Sequence, residues 1–228
     1  MQLLSIDVGL INLSYAIVDM EPNQDTKCII HDWNNVNMLH SFDDMNYIAN
    51  YYLKWPKEML LECINKLELD IGTAKKKSEL QEIIKKNLKV NKIRKGPINL
   101  RNVVLNVKSY FDSIIKSHNI DIVIIENQPC MKNPQMKSMQ MIIFTYFCLN
   151  NKNVKFISAS EKMKFCSKKG WVNLDNIKGD YKKTKQCSID IVSKYILDKE
   201  HHIWNSSKKK DDLADVILQA FAYCDKCV

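Results

Sequence analysis

Long apolar runs are missing from this sequence of 228 residues. No uncharged apolar segment reaches the roughly 18 residues that a membrane-spanning helix needs. The opening residues MQLLSID lack the basic stretch of a signal peptide and have the pattern of a strand instead. Glycine is also scarce, with five residues, which disfavours an architecture built on repeated phosphate-binding loops. We therefore expect a soluble protein with one substantial core.

The eight cysteines are scattered through apolar periodic segments and do not form a disulfide framework. Such a distribution favours a reduced, intracellular protein. A single CxxC pair, Cys224 and Cys227, lies close to the carboxyl end. Because no second ligand pair lies near it in the sequence, it gives little support for a zinc site.

Positive charge is concentrated in two windows. The formal net charge is +8, and residues 73–95 and 162–185 together hold 17 of the 34 basic residues. A polyanion such as a nucleic acid is one partner that this pattern fits. A pair of solvated surface faces explains it equally well from composition alone.

The order of the predicted elements indicates an α/β fold. Strands are predicted over 3–7, 13–19, 27–33, 121–126 and 154–158. Helices are predicted over 47–69, 75–89, 100–118, 137–150, 184–197 and 210–224, with a long basic loop before residue 184. This order predicts a mixed sheet with helices on both faces. Residues 42–99 interrupt the alternation and are predicted to be a basic helical insertion.

Two carboxylates end strongly apolar strands. Asp7 follows the first strand and precedes Gly9, which allows a turn or a close backbone approach, and Glu126 ends the strand DIVIIE. A charge at the end of an apolar central strand is costly to desolvate unless a cation or hydrogen bonds compensate it. Both strand ends can lie at one sheet edge, which would bring Asp7 and Glu126 together.

The last helix supplies a second acidic pair. In KKKDDLADVILQAF, Asp212 and Asp215 are three residues apart and share a helix face. Asp211 competes with Asp212 for this role, or it caps the start of the helix.

Oxygen ligands of this kind suit magnesium, with manganese as a substitute, and not zinc. Two such ions activate water and stabilise the leaving oxygen in phosphodiester hydrolysis. Each acid taken singly also fits ordinary turn or helix-capping chemistry.

Four stretches resemble the RuvC-type Holliday junction resolvases of the RNase H-like superfamily, particularly the branch from poxviruses and other large DNA viruses. These are SIDVGLINLSYAIVD (5–19), HDWNNVNM (31–38), IIENQPCMKNPQMKSMQMIIFTYF (124–147) and KKDDLADVILQAFAY (209–223). The resemblance implies a five-stranded sheet in the order 3-2-1-4-5 in one catalytic domain spanning 1–228. It also implies that Asp7, Glu126, Asp212 and Asp215 bind the metal.

The family also carries lysines near the scissile phosphate. SEKMK (160–164) resembles the first lysine motif and implies a role for Lys164, and KKTKQ (182–186) implies the same for Lys185. Lys162, Lys182 and Lys183 lie close enough for one register step to exchange them. Residues 73–88 resemble half of a SAP-like DNA-binding module, although a basic surface helix fits the same charge pattern.

The resemblance implies magnesium-dependent, paired incision of four-way DNA junctions during recombination, repair or replication. Cutting two strands symmetrically needs two active sites, so a homodimer is expected. A viral origin would place it where viral DNA replicates.

Three alternatives stay open. One is a nuclease of other branched DNA or of RNA–DNA hybrids, and another is a noncatalytic nucleic-acid-binding module. The third is an actin-like or sugar-kinase ATPase, suggested by the Asp-Gly turn. Its usual pair of domains exceeds the length of this chain.

Overall fold

The computed structural model describes residues 1–20, 28–38, 48, 52–88, 100–131, 133–177, 179–196 and 202–227. The chain divides into two compact units, one formed by residues 1–38 and 107–228 and the other by residues 39–106. Each unit is described by itself.

The first unit is built on a five-stranded sheet in the order β3-β2-β1-β4-β5, which confirms the predicted order. The first three strands form an antiparallel meander, and β4 and β5 then add in parallel to β1. The strands are β1 Gln2–Asp7, β2 Leu13–Met20, β3 Cys28–Val36, β4 Ile122–Glu126 and β5 Asn153–Ile157. The central strands β1 and β4 are apolar on both sides because helices cover both faces of the sheet.

The helices are α1 Lys57–Lys66, α2 Lys77–Asn87, α3 Leu100–Ser117, α4 Pro134–Leu149, α5 Ser160–Lys168, α6 Tyr181–Ile191, α7 His202–Ser206 and α8 Lys210–Cys227. On one face of the sheet, Phe111 of α3 packs against Phe147 of α4, with ring centroids 4.9 Å apart. On the other face, α5, α6 and α8 share one buried cluster with Leu3 and Ile124. In the described part of the chain, no helix is long and apolar enough to cross a bilayer.

The region after β5 differs from the prediction of a long basic loop. Residues 160–168 form helix α5, and α6 begins at Tyr181. The sequence SEKMKFCSK is polar enough to resemble a loop, but Phe165 and Cys166 are buried and fix α5 against the core. The predicted loop was therefore wrong. The lysines at 162 and 164 lie on helix α5 instead.

The turn after β1 depends on Gly9. A Cβ atom built at this position would lie 2.0 Å from the backbone oxygen of Asn12. Any side chain at residue 9 would therefore push apart the backbone that follows Asp7.

Gly9→Ala is expected to lower the free energy of unfolding by roughly 2 kcal/mol or more, since the clash is with backbone and cannot be relieved by a rotamer change. Chemical denaturation measures this loss. Gly170→Ala is the matched control, because Gly170 has a φ of +71° but no atom within 4 Å of an added Cβ. Its cost should be limited to backbone strain of about 1 kcal/mol. Equal losses in the two variants would contradict the packing explanation.

The second unit has its own small core. Leu60, Cys63 and Ile64 of α1 pack with Leu80 and Ile84 of α2. The predicted helix over 47–69 is shorter in the structure, which has a 3-10 turn at Tyr52–Lys54 before α1. The parts of the 42–99 prediction at 42–47, 49–51 and 89–99 lie outside the described residues.

Candidate active site

Strand register brings Asp7 and Glu126 together. β1 and β4 are parallel neighbours whose last aligned pair is Ile6 with Ile125, so Asp7 and Glu126 follow side by side. Since side chains alternate along a strand, both project to the same face as Leu3 and therefore toward α8. The two carboxylates consequently end adjacent central strands on one face.

Two hydrogen bonds fix α8 across this sheet. The Gln219 side-chain amide donates to the carbonyl oxygen of Ile6 at 3.1 Å, and the Trp33 indole donates to the carbonyl oxygen of Leu213 at 3.1 Å. Asp212 and Asp215 lie in the first two turns of α8, ahead of Gln219. The anchored helix thereby brings its acidic start to the edge where β1 and β4 end.

These elements enclose a cavity of about 460 Å³. Its walls include six charged side chains, namely Asp7, Glu126, Asp212, Asp215, Lys162 and Lys185. All four carboxylates singled out in the sequence therefore line one cavity, together with two lysines.

Lys162 reaches into the carboxylates from α5. Its Nζ lies 2.8 Å from Oε2 of Glu126 and 3.1 Å from Oδ2 of Asp215, and the residue is only 7% exposed. Gln128 lies 3.4 Å from the other oxygen of Glu126. The Gln128 backbone amide in turn donates to the buried side chain of Gln140 at 2.9 Å. Glu126 is thus held from two sides.

Burial raises the pKa of several of these acids, and neighbouring negative charge adds to the shift. Burial, followed by the neighbouring Glu126 and opposed by Lys162, raises the pKa of Asp7 to about 8. Burial also raises the pKa of Asp215, against the effect of Lys162, and the pKa of Asp212, where Asp211 adds to the shift. Burial and mutual repulsion therefore oppose full ionisation of the cluster.

Lys185 of α6 lies on the α8 side of the cavity. Its Nζ pairs with Asp211 and lies 3.4 Å from Oδ1 of Asp212. Burial opposes the ionised form of Asp211, but the hydrogen bond and the charge of Lys185, together with the charge of Lys209, outweigh it and lower the pKa of Asp211. Asp211 is therefore neutralised by Lys185, whereas Asp212 faces the cavity with the other acids.

The structure does not bring Lys164 into the cavity. Its side chain is 63% exposed, and its Nζ pairs with Glu161 at 2.9 Å. Residues two apart on a helix point in different directions, so only one of Lys162 and Lys164 can face the acids. Helix phase selects Lys162, which the sequence indicated only as a register alternative.

Phe165 and Trp171 are packed and not presented to a ligand. Phe165 is buried, and Trp171 stacks on Tyr195 with centroids 4.9 Å apart. The cavity wall also includes Gln128, Tyr181 and Thr184, which sequence reasoning did not single out. Gln128 follows Glu126 by two residues in the stretch 124–147, whereas no spacing marks Tyr181 and Thr184, which α6 brings to the cavity.

The donor chemistry fits a hard divalent cation. The acidic side chains offer only carboxylate oxygens, which magnesium and manganese prefer. Within the described residues, no three His, Cys, Asp or Glu side chains already form a ready metal-binding group. The ammonium group of Lys162 lies between Glu126 and Asp215.

Comparison with known proteins identifies relatives of this chain. A model of the family described as mitochondrial resolvase Ydc2 / RNA splicing MRS1 matches residues 3–130. The uncharacterized protein 97L of Invertebrate iridescent virus 3 is 28% identical over 226 residues, covering 96% of this chain and 97% of that protein. The uncharacterized protein L451 of Acanthamoeba polyphaga mimivirus is 32% identical over 128 residues, covering 46% of this chain and only 29% of that protein.

Two solved structures resemble the whole chain. A fowlpox virus resolvase in complex with substrate Holliday junction DNA matches with a TM-score of 0.53 and 17% identity, covering 100% of this chain and 99% of that one. The yeast mitochondrial Holliday junction resolvase Ydc2 matches with a TM-score of 0.50 and 15% identity, covering 99% and 86%. These likenesses confirm the predicted RNase H-like fold.

Proposed function

This chain belongs to the mitochondrial resolvase Ydc2 / RNA splicing MRS1 family, and on that premise we propose that it is a metal-dependent endonuclease resolving four-way DNA junctions. The observation that carries the proposal is the single cavity lined by Asp7, Glu126, Asp212 and Asp215. Family membership alone does not decide between a resolvase and a splicing protein. The acidic cavity favours the enzyme, since a module that only binds nucleic acid has no use for repelling carboxylates beside a phosphate.

The four acids and Lys185 each have a role in this proposed chemistry. Asp7, Glu126, Asp212 and Asp215 would hold magnesium. When bound, the metal would activate a water molecule and stabilise the leaving 3′-oxygen. Lys185 lines the same cavity and would neutralise a phosphate oxygen there.

The surroundings of the cavity suit a nucleic-acid backbone. Helices α5 and α6 both contribute to its wall, and their lysines at 164, 182 and 183 are exposed. Backbone contacts of this kind supply affinity without reading sequence. Selectivity for a junction would then come from its shape.

The proposal is tested by magnesium-dependent cleavage of a four-way junction, a flap, a linear duplex and an RNA–DNA hybrid that share arm sequences. Junction cleavage should be faster than the others by at least ~10-fold, equivalent to ~1.4 kcal/mol. Preferred cutting of the hybrid would favour a ribonuclease. Binding of structured RNA with no cleavage of any substrate would favour the splicing branch of the family.

We propose further that the enzyme acts as a homodimer through α4. This helix is apolar nearly all the way round, with Lys137 as its only charge, and such helices are normally covered on every side. Its outer side exposes a stripe formed by Met141, Thr145, Cys148 and Leu149. A twofold partner would cover this stripe and supply the second active site that paired incision requires.

Met141→Glu is expected to shift the protein from dimer to monomer, because the twofold axis duplicates each new charge in a buried contact. Light scattering after size exclusion measures the mass, and a plasmid cruciform assay measures whether incisions are paired. The control is Ile29→Glu, which charges an exposed apolar residue on β3 that is 59% exposed. An unchanged dimer in the Met141 variant would exclude this face, and a monomeric wild type would exclude the dimer.

The proposed role of the second unit is to add contacts to the DNA backbone, as in the SAP-like prediction. Its helices form a core of their own, while Lys75, Lys76, Lys77, Lys85 and Lys86 are exposed. This combination supports a small basic module.

Replacing Lys75, Lys76 and Lys77 together with alanine should weaken junction binding and flatten its salt dependence. Each lost phosphate contact lowers the slope of log K against log salt by about 0.9. Fluorescence anisotropy at several salt concentrations gives the slope. An unchanged slope would leave α2 as a surface helix that takes no part in DNA binding.

A further inference from the structure

We infer that Lys162 competes with divalent metal for Glu126 and Asp215, and that the phosphate of bound DNA relieves this competition. The inference relies on the proposed function only for the nature of the cation and of the substrate. Its starting observation is geometric. Nζ of Lys162 lies 2.8 Å from Oε2 of Glu126 and 3.1 Å from Oδ2 of Asp215, so the ammonium occupies the oxygens that a metal would use.

The contact of Lys162 with Glu126 and Asp215 is buried, which strengthens the attraction between the opposite charges. Lys162 is 7% exposed, and its neighbours on α5, Phe165 and Cys166, are packed in the core. The backbone of α5 is thereby fixed, whereas the side chain of Lys162 has a flexible stem of four carbons. The ammonium can therefore withdraw from the acids without any movement of the helix.

The charge balance gives the direction of the effect. Four carboxyl groups and two lysines line the cavity, so its formal charge with every group ionised is −2. Removing Lys162 makes it −3 and frees oxygens of Glu126 and Asp215. Both changes favour a divalent cation, since opposite charges attract more strongly when no competing cation shares the ligands.

DNA supplies a second partner for the ammonium. A phosphate entering the cavity can accept hydrogen bonds from Lys162 once a metal takes its place between the two acids. Metal would then bind more tightly when DNA is present, and by linkage DNA would bind more tightly when metal is present. The enzyme without bound DNA would consequently bind metal weakly.

The test measures Mn²⁺ binding to the full chain, with the free ion detected by electron paramagnetic resonance. Lys162→Met should bind Mn²⁺ at least ~10-fold more tightly than wild type in the absence of DNA. Lys168→Met is the control, because Lys168 lies on the same helix but its side chain is 65% exposed and pairs with Asp225. It should bind Mn²⁺ as the wild type does. A junction with phosphorothioates at the cleavage positions should tighten Mn²⁺ binding to wild type more than to Lys162→Met.

A second variant covers a failure of Lys162→Met to fold. Lys162→Gln keeps a polar group, and Mn²⁺ should raise its melting temperature more than that of wild type. If both variants bind Mn²⁺ no more tightly than wild type, Lys162 is not a competitor and the inference is wrong. Tighter binding in the variants, together with a wild type that cuts no junction, would support the inference and contradict the proposed function.

Discussion

Asp7→Asn is expected to abolish junction cleavage, lowering the rate by at least ~10³-fold, because it removes an anionic ligand that the metal chemistry needs. Binding of the junction in the presence of EDTA should change little. Asparagine has the shape of aspartate, and Asp7 lies within the acidic cavity, not on the basic helices around it. Gel-based cleavage and anisotropy measure the two quantities on one preparation.

The same variant carries a stability signature that separates chemistry from misfolding. Burial and Glu126 raise the pKa of Asp7 to about 8, well above its value in an unfolded chain. The folded state therefore binds a proton more tightly than the unfolded state, and this contribution to stability is lost as pH rises from about 4 through 8. In EDTA, Asp7→Asn should melt higher than wild type at pH 8, and the difference should shrink toward pH 4.

Asp190→Asn is the control for losing one negative charge, since Asp190 lies on the exposed side of α6. It should cut junctions normally. Cleavage by Asp7→Asn at the rate of the wild type would remove Asp7 from the active site. If Asp7→Asn instead melts at a lower temperature than wild type at pH 8, other groups in the folded protein stabilise the Asp7 carboxylate.

The sheet was predictable because its signals are local. β1 and β4 are short apolar runs, and the order of the strands follows from the resemblance carried by residues near their ends. The convergence of Asp7 and Glu126 follows from the same order, since parallel neighbours in register end at the same edge. What the sequence left open is which side chains join them from the other elements.

The sequence alone did not show which lysine of α5 faces the acids. In SEKMK, Lys162 and Lys164 have the same chemistry, and the polar composition predicted a loop in which either could reach the acids. Only the helical phase of α5, set by burial of Phe165 and Cys166, turns Lys162 inward. That phase depends on packing against α8 and is not encoded by any spacing within the motif.

Asp211 and Asp212 present a similar ambiguity. Relative to Asp215, they lie four and three residues earlier, and both separations bring side chains to one helix face. The structure distinguishes them by their partners. Lys185 pairs with Asp211 and lowers its pKa despite burial, whereas burial and Asp211 raise the pKa of Asp212. Asp212 keeps a raised pKa although Lys185 and Lys209 lie 3.4 Å and 4.0 Å from its oxygens, and it lines the cavity.

Asp212→Asn should therefore reduce cleavage by at least ~100-fold, as expected for a lost metal ligand, while Asp211→Asn should reduce it by less than ~10-fold. The two variants remove the same charge from adjacent residues, so each controls for the other. Single-turnover cleavage over a range of magnesium concentrations is the measurement. Loss of the ligand at Asp212 should also raise the magnesium concentration required, whereas freeing Lys185 at Asp211 should not.

The reverse order of the two effects would assign Asp211 to the metal and mean that Lys185 leaves it when DNA binds. Equal losses would mean that Lys185 and the α8 acids act as one unit, in which the pairing of Lys185 with Asp211 positions Asp212. The magnesium dependence separates these outcomes, because a positioning defect lowers the maximal rate, whereas a missing ligand is partly overcome by more metal. Under the proposed function, the start of α8 would supply both a metal ligand and the anchor for a phosphate-binding lysine, and adjacent aspartates would divide these two tasks.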